Sequence, residues 1–303
     1  QNVTLSQTST ACPANSVPDA TGNWCTCDVG FVEQASSCVR PDIAPAASNS
    51  CKNPDGLFKG QPIMPATGEK FSFQNDWTDT GQAPISFSRT YRSGWAYDPT
   101  RPQAGLGLVW SHNHYARLDA TPIGDPTDVT IVNADGTVRK FAKTAGTAAW
   151  ATTASTDTLM QLAGGAWTYG HAEDDATLNF GPDGKVLSRR QRNGRTTTYA
   201  YNVSGQLASI TNPFGRSLAL SYNGAGQLAS VTLPDARVLT YGYDAQSRLS
   251  QVTYADGKSR SYVYENASLP QALTGIADES GTRWASFAYD TLGRATSTQL
   301  AGA

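Results

Sequence analysis

Apolar and polar residues alternate along most of this chain, with a period of two rather than 3.6, which predicts strands and not helices. Between Gly60 and Gly94, two alternating runs ending in Trp77 and spanning Ile85 to Arg92 are separated by a polar, glycine-containing loop, as in a hairpin or a pair of adjacent strands. Further on, an aromatic residue heading a small polar turn appears at Phe180, Tyr201, Tyr222, Tyr243 and Tyr264, each 21 residues after the last, and again at Tyr289 after a gap of 25. Tyr201-Asn-Val-Ser-Gly-Gln-Leu-Ala-Ser-Ile-Thr211, Tyr222-Asn-Gly-Ala-Gly-Gln-Leu-Ala-Ser-Val-Thr232 and Tyr243-Asp-Ala-Gln-Ser-Arg-Leu-Ser-Gln-Val-Thr253 are copies of one template. Within a copy, two strand-length runs are divided by Ser204-Gly205 and closed by Asn212-Pro-Phe-Gly215, so one copy is one β-hairpin.

Tyr199 and Tyr201 are two apart and share a face. Leu220 with Tyr222, Tyr241 with Tyr243, and Tyr262 with Tyr264 take the same places in later copies. Stacked hairpins therefore build aromatic ladders on one side of a sheet, and that side has to be buried. Leu207 and Ile210 are three apart, which breaks the alternation and predicts a bulge in the second strand of each unit.

Composition narrows the class. The 303 residues suffice for two ordinary domains or one long β architecture. Gly, Tyr, Ser and Thr are plentiful and Met is scarce, which favours short strands and turns. A formal net charge of −2 offers no basic surface for phosphate backbones, so nucleic acid is not an expected partner. No apolar run reaches the roughly 18 residues of a spanning helix, and no transmembrane segment is expected.

The chain opens on Gln1 and no charged or apolar leader pattern follows, as expected of a processed or truncated product. Its five cysteines, Cys12, Cys25, Cys27, Cys38 and Cys51, all precede residue 52, a density that suits disulfides in an oxidising compartment. Cys25-Thr-Cys27 leaves one residue between thiols, where a zinc knuckle needs two to four. The expected localisation is secreted, extracellular or at a bacterial cell surface. The Pro-, Ala- and Ser-rich stretch from Arg40 to Ser50 reads as a linker.

The run Cys25-Thr-Cys27-Asp-Val-Gly30-Phe31 closed by Cys38 resembles the second half of an EGF-like module. That resemblance implies a Cys27–Cys38 bridge and a Cys12–Cys25 bridge, although four cysteines allow three connectivities. Cys51 is then a free thiol, buried and inert or available to a neighbouring subunit. The 21-residue template resembles the YD repeat of Rhs and teneurin-type proteins, which reads Tyr-Asp-x-x-Gly-Arg-Leu-x-x-Val-Thr. Asn202 and Asn223 replace its Asp, Gln206 and Gln227 its Arg, and Ser247 its Gly. Gly60 to Leu118, with Phe87-Ser-Arg-Thr-Tyr-Arg-Ser-Gly94 and Gly107-Leu-Val-Trp-Ser-His-Asn-His-Tyr115, looks like the module that precedes YD repeats in bacterial Rhs proteins.

The expected fold is all-β: a small disulfide-rich head over 1–39, a linker over 40–55, an Rhs-type β module over 56–179, and YD repeats over 180–303 forming a long antiparallel strip or spiral. In that family such strips form a tyrosine-lined shell that often encloses a C-terminal toxin.

Candidate chemistry is sparse. His112 and His114 would share a strand face and could share a metal with Asp119 or His171, but two histidines at this spacing are a weak signal and the stretch reads as structural. Glu173-Asp174-Asp175, with Asp157 or Asp183, reads as a solvated turn before a strand and not as a calcium loop. Neighbouring Ser111 and His112 face opposite ways on a strand, and no phosphate-cradling loop or nucleophile elbow appears. The sequons at Asn2, Asn202 and Asn266 read as chance.

No enzymatic activity, cofactor or metal is expected. The first function reading is a secreted structural scaffold that polymerises head-to-tail, its last strand completed by a neighbouring copy, or that begins a shell around a cargo. The alternatives are the N-terminal piece of a toxin-encapsulating Rhs protein, with further YD repeats following, and a surface module binding glycans through its aromatic rings.

Overall fold

Short turns between alternating strands leave each strand one cheap partner, the next strand in the chain. The structure, a computed structural model, follows that rule almost throughout. It describes residues 5–6, 12, 16–18, 24–27, 32–34, 37–39, 63–64, 67–98, 101–122, 125–153 and 155–302. Among these there are strands, turns and two short 3-10 segments, Ser93–Tyr97 and Ala163–Gly165, and no α-helix.

In the head, β1 (Leu5–Ser6), β2 (Ser16–Pro18) and β3 (Trp24–Cys27) form a small sheet in the order β1-β3-β2, and β4 (Val32–Gln34) pairs with β5 (Ser37–Val39). Cys12 is disulfide-bonded to Cys25, and Cys27 is disulfide-bonded as well. The expected linker and Cys51 lie outside the described residues, as does the side chain of Cys38.

Two four-stranded antiparallel sheets follow in chain order. The first holds β6 (Ile63–Met64), β7 (Glu69–Thr78), β8 (Ser86–Arg92) and β9 (Trp110–His112). The second holds β10 (Arg117–Thr121), β11 (Asp128–Val132), β12 (Val138–Lys143) and β13 (Trp150–Ala151).

The last fourteen strands make one antiparallel sheet, each paired with its neighbour in sequence. It begins with β14 (Thr158–Gln161), β15 (Trp167–His171), β16 (Ala176–Phe180) and β17 (Val186–Gln191). Its middle is β18 (Thr196–Tyr201), β19 (Leu207–Thr211), β20 (Ser217–Tyr222), β21 (Leu228–Thr232), β22 (Val238–Tyr243) and β23 (Leu249–Thr253). It ends with β24 (Ser259–Val263), β25 (Gly275–Ala277), β26 (Arg283–Tyr289) and β27 (Ala295–Leu300). The sheet thus starts at Thr158, ahead of the repeat signature at Phe180. Strands such as β16, whose residues alternate between buried and half-buried, keep the alternation a sheet needs without the Tyr-Asx turn.

Bulges sit where the alternation breaks. Ala200 faces Ser209 and Tyr201 faces Leu207, so Ala208 is the extra residue, and Ala229 and Ser250 are its equivalents. The extra residue turns Leu207 and Ile210 to one side, and likewise Leu228 with Val231 and Leu249 with Val252, all of them buried.

The buried face is filled from the N-terminal side of the chain. Phe87, Tyr91, Trp95, Leu106 and Trp110 of the first small sheet and its loops form one core cluster with Leu207, Ile210, Leu228, Val231, Leu249 and Val252 of the repeats. The second small sheet covers the early strands, placing Val129, Ile131 and Phe141 against Trp167, Tyr169, Leu178 and Phe180. The final strand is not bare along its whole edge: Ala295 N–H donates to the Gly68 carbonyl, 2.7 Å away. Gly68 holds φ +67°, and a Cβ there would lie 2.7 Å from the Arg294 Cβ, so both the turn and the approach require glycine.

Candidate functional site

The ladder residues bind backbone, not ligand. Tyr201 Oη donates to the Val186 carbonyl at 2.8 Å, Tyr222 to Leu207 at 3.0 Å, Tyr243 to Leu228 at 2.9 Å and Tyr264 to Leu249 at 2.9 Å, always 15 residues back. Tyr289 does the same to Leu273 at 2.8 Å. Each of Val186, Leu207, Leu228 and Leu249 faces the previous unit's aromatic across a bulge, where cross-strand bonding is disrupted. The next unit's hydroxyl gives that carbonyl a donor. Burial pushes the Tyr222 hydroxyl up to about 12, so it stays a neutral donor. Phe180, which starts the series, has no hydroxyl and is buried beside Trp167 and Val186.

The residue after each tyrosine closes the turn. Asn202 Oδ1 accepts the N–H groups of Ser204 and Gln206, and Asp244 and Asp290 accept the equivalent pairs at 2.9–3.0 Å. What the rest of that side chain does depends on the residue four places on. Asp244 pairs with Arg248 and Asp290 with Arg294, whereas Asn202 Nδ2 donates to Gln206 Oε1 and Asn223 Nδ2 to Gln227 Oε1, each at 3.0 Å. The two departures from the YD template are therefore one coupled exchange, an ion pair for an amide pair. The fourth-on residue also reaches the next turn: Gln206 Nε2 donates to the Gly226 carbonyl, Gln227 Nε2 to that of Ser247 and Arg248 Nη1 to that of Pro270.

At the seam between the first small sheet and the repeats, a charged cluster lies fully buried. Arg89 donates through Nε and Nη2 to Asp76 at 2.6 and 2.7 Å, and through Nη2 to Tyr262 Oη at 2.7 Å. Tyr241 Oη donates to Asp76 Oδ2 at 3.0 Å, and the guanidinium lies about 5 Å from the Trp110 and Tyr262 rings. Trp110 Nε1 donates to Tyr264 Oη, and Tyr91 Oη accepts the Leu273 N–H, both at 2.9 Å. Asp79 grips Arg216 through two bonds of 2.6 and 2.7 Å. The seam is a lock between parts of the chain more than 130 residues apart.

Residues 182–217 and 222–259 match the RHS Repeat family. The chain carries Rhs repeats. Residues 60–141 match a domain of unknown function, DUF6531, which spans the first small sheet and most of the second. Among solved structures, that of TcdB2-TccC3-TEV is 10% identical with a TM-score of 0.31 over 81% of this chain and 16% of its own. That of TcdB2-TccC3 without its hypervariable C-terminal region is 11% identical with a TM-score of 0.30 over 74% and 14%. The chain spans about a sixth or less of the length of these structures. No curated protein matches it.

The other candidate residues fall around the Rhs repeats without forming a centre. His112 ends β9 and His114 lies in the turn after it, both rings packed on Phe87. His171 Nδ1 pairs with Asp174, Asp174 with Arg189, and Asp175 with Arg192, so the acidic run is a turn engaged by basic neighbours. Asp157 accepts bonds from Arg139, Tyr169 and the Ala172 N–H, Asp119 pairs with Arg117, and Asp183 with Lys185. Among the described residues no group of three or more His, Cys, Asp or Glu side chains is arranged to hold a metal. The Arg89–Asp76 lock escaped sequence reasoning: alternation in Ser86-Phe-Ser-Arg-Thr-Tyr-Arg92 puts Arg89 on the face of Phe87 and Tyr91, but nothing in that strand identifies the partners that hold its charge. Every residue of that strand after Ser86 is buried.

Proposed function

We propose that this chain is a non-enzymatic scaffold, an opening segment of an Rhs-type β-sheet shell whose inner face is plugged by the N-terminal module, and that it works outside the cytoplasm. The observation that carries this reading is the disposition of the ladder: its hydroxyls are committed to backbone carbonyls and its rings to the module. An aromatic groove for sugars needs rings facing solvent, and here Tyr201, Tyr222, Tyr243, Tyr264 and Tyr289 pack, partly buried, against the core cluster that holds Trp110 and Phe87. The Cys12–Cys25 bridge supports an oxidising compartment. Further Rhs hairpins pairing with β27, and a cargo behind them, are the partners this reading calls for.

Native-state hydrogen exchange at pH 7.5, with and without soluble cell-wall glycans, tests it. The expected result is a single protection level shared by β7–β9 and β19–β24, unchanged by glycan. Separate opening of the module, or a glycan-dependent rise in protection over Tyr199 to Tyr243, would overturn it.

A further inference from the structure

We propose that His112 and His114 form an acid-operated latch on the seam, so that mild acidification loosens the module from the Rhs repeats. The inference rests on the plug reading above and adds its regulation.

The packing favours neutral imidazoles. His112 Nδ1 accepts the His114 backbone N–H at 3.3 Å, so a proton on that nitrogen removes the acceptor and sets two donors face to face. His114 Nε2 lies 2.6 Å from the Ser86 carbonyl and donates to it, which leaves its Nδ1 to take any second proton. The His112 ring packs tilted against Phe87 and meets Tyr115 edge-on, and the His114 ring lies between Phe87 and Tyr199 of the first full repeat hairpin. An imidazolium in either place is a charge among aromatic rings at the contact between module and repeats.

The charged surroundings do not rescue it. The cavity of about 190 Å³ beside His112 is lined by Arg117 of the module and Lys185 of the repeats, with Tyr115, Tyr201 and Tyr222. The cavity of about 230 Å³ beside His114 is lined by Arg189 and Tyr199 from the repeat strands, His171 at the end of β15, Glu173 and Asp174 from the β15–β16 turn, and Asp135 from the β11–β12 turn. Asp174 is held by Arg189 and His171, and Asp135 Oδ1 by Thr137. Burial, with the neighbouring His114, lowers His112 to about 3; burial, with Arg189, lowers His114 to about 4.

The sign follows. In the opened seam both groups return toward the ordinary value near 6.5, so the closed state is favoured in full above about pH 6.5 and loses ground as pH falls toward the closed-state values. Between pH 7.5 and 5.0 each histidine shifts the opening equilibrium by about 25- to 30-fold, and the two together by somewhat under a thousandfold.

Hydrogen exchange on the full chain, normalised for the intrinsic pH dependence of exchange, reads this directly. Amides of Ser86, Ser88, Asn113 and His114 are expected to lose about a hundredfold or more in protection at pH 5.0, while Val252 and Leu249, deep under the module, lose less. His112→Gln keeps an acceptor for the His114 N–H and His114→Gln keeps a donor for Ser86; the double variant should show a flat profile and each single variant roughly half the logarithmic loss. Should the double variant fail to fold, the single variants decide. Wild-type protection unchanged at pH 5.0, an equal loss in the glutamine variants, or a loss equal at Val252 overturns the latch. Seam amides unprotected already at pH 7.5 would instead sink the plug reading.

Discussion

The exchange of Asp-Arg for Asn-Gln between repeats predicts the outcome of a double-mutant cycle at Asp244 and Arg248. Arg248 Nε lies 2.6 Å from Asp244 Oδ2, with the two side chains 13% and 23% exposed, so solvent screens the pair only in part. Asp244→Asn keeps the Oδ1 acceptor for the Gln246 and Arg248 N–H groups but turns an amide N–H₂ toward a guanidinium. A charge-assisted bond contributes about 1.5–3 kcal/mol, and after partial screening the loss should be about 2 kcal/mol. Arg248→Gln alone strands the carboxylate Oδ2 and removes a cation over the Tyr264 ring at 4.7 Å, again about 2 kcal/mol. The double variant recreates the Asn202–Gln206 arrangement and should lose only about 1 kcal/mol, so the coupling is on the order of 3 kcal/mol, at the upper end for contacting residues. Urea unfolding of the four proteins, followed by circular dichroism, measures it. Additive single losses, with coupling below about 0.5 kcal/mol, would show that the paired exchange is a coincidence of sequence and not a physical unit.

Two further perturbations test the turns and the seam. Ala236 and Ser247 occupy left-handed turn positions, at φ 66° and 62°, that Gly194, Gly205, Gly215 and Gly226 fill elsewhere in the repeats. Ala236→Gly and Ser247→Gly should each raise stability by about 0.5–1 kcal/mol in the same urea assay, and a loss at both would refute the strain assignment. Arg89→Met strands Asp76 in a fully buried site and should cost about 3–5 kcal/mol, whereas Arg89→Met with Asp76→Leu should recover more than half of that. A single-variant loss below 1 kcal/mol would mean that water reaches the cluster.

The repeat sheet was legible in the sequence because its rules are local. A 21-residue period, Tyr-Asx turns and the Leu207 to Ile210 spacing together specify hairpin, register and bulge, and all three appear in the pairing of β18 with β19. The expected bare final edge was only partly right, because the partner of Ala295 is Gly68, hundreds of residues away in the chain. The seam was illegible for the same reason. Arg89 shares a face with Phe87 and Tyr91, and nothing near it in the sequence announces Tyr241 or Tyr262 as the groups that meet its charge. The two histidines read as structural, and the sequence offered no hint that they sit on a contact between two parts of the fold.

That contact follows from how the hairpins pair. Repeats that stack face to face bury one another's apolar sides, but these hairpins join edge to edge, so each adds an inner row such as Leu228 and Val231 without covering the row before it. A single sheet of this kind cannot hold its apolar face dry and needs a second layer. The module supplies one from Tyr199, against His114, to Ala295, bonded to Gly68. Its polar groups are placed to make the fit specific as well as dry: Asp76 meets the Tyr241 hydroxyl and Arg89 that of Tyr262, Asp79 meets Arg216, and the Gly105 carbonyl takes the Leu228 N–H. Every added hairpin would bring another uncovered apolar row. The reach of the module therefore sets how many Rhs hairpins it can shield, and any hairpin beyond that reach needs a different filling for its inner face.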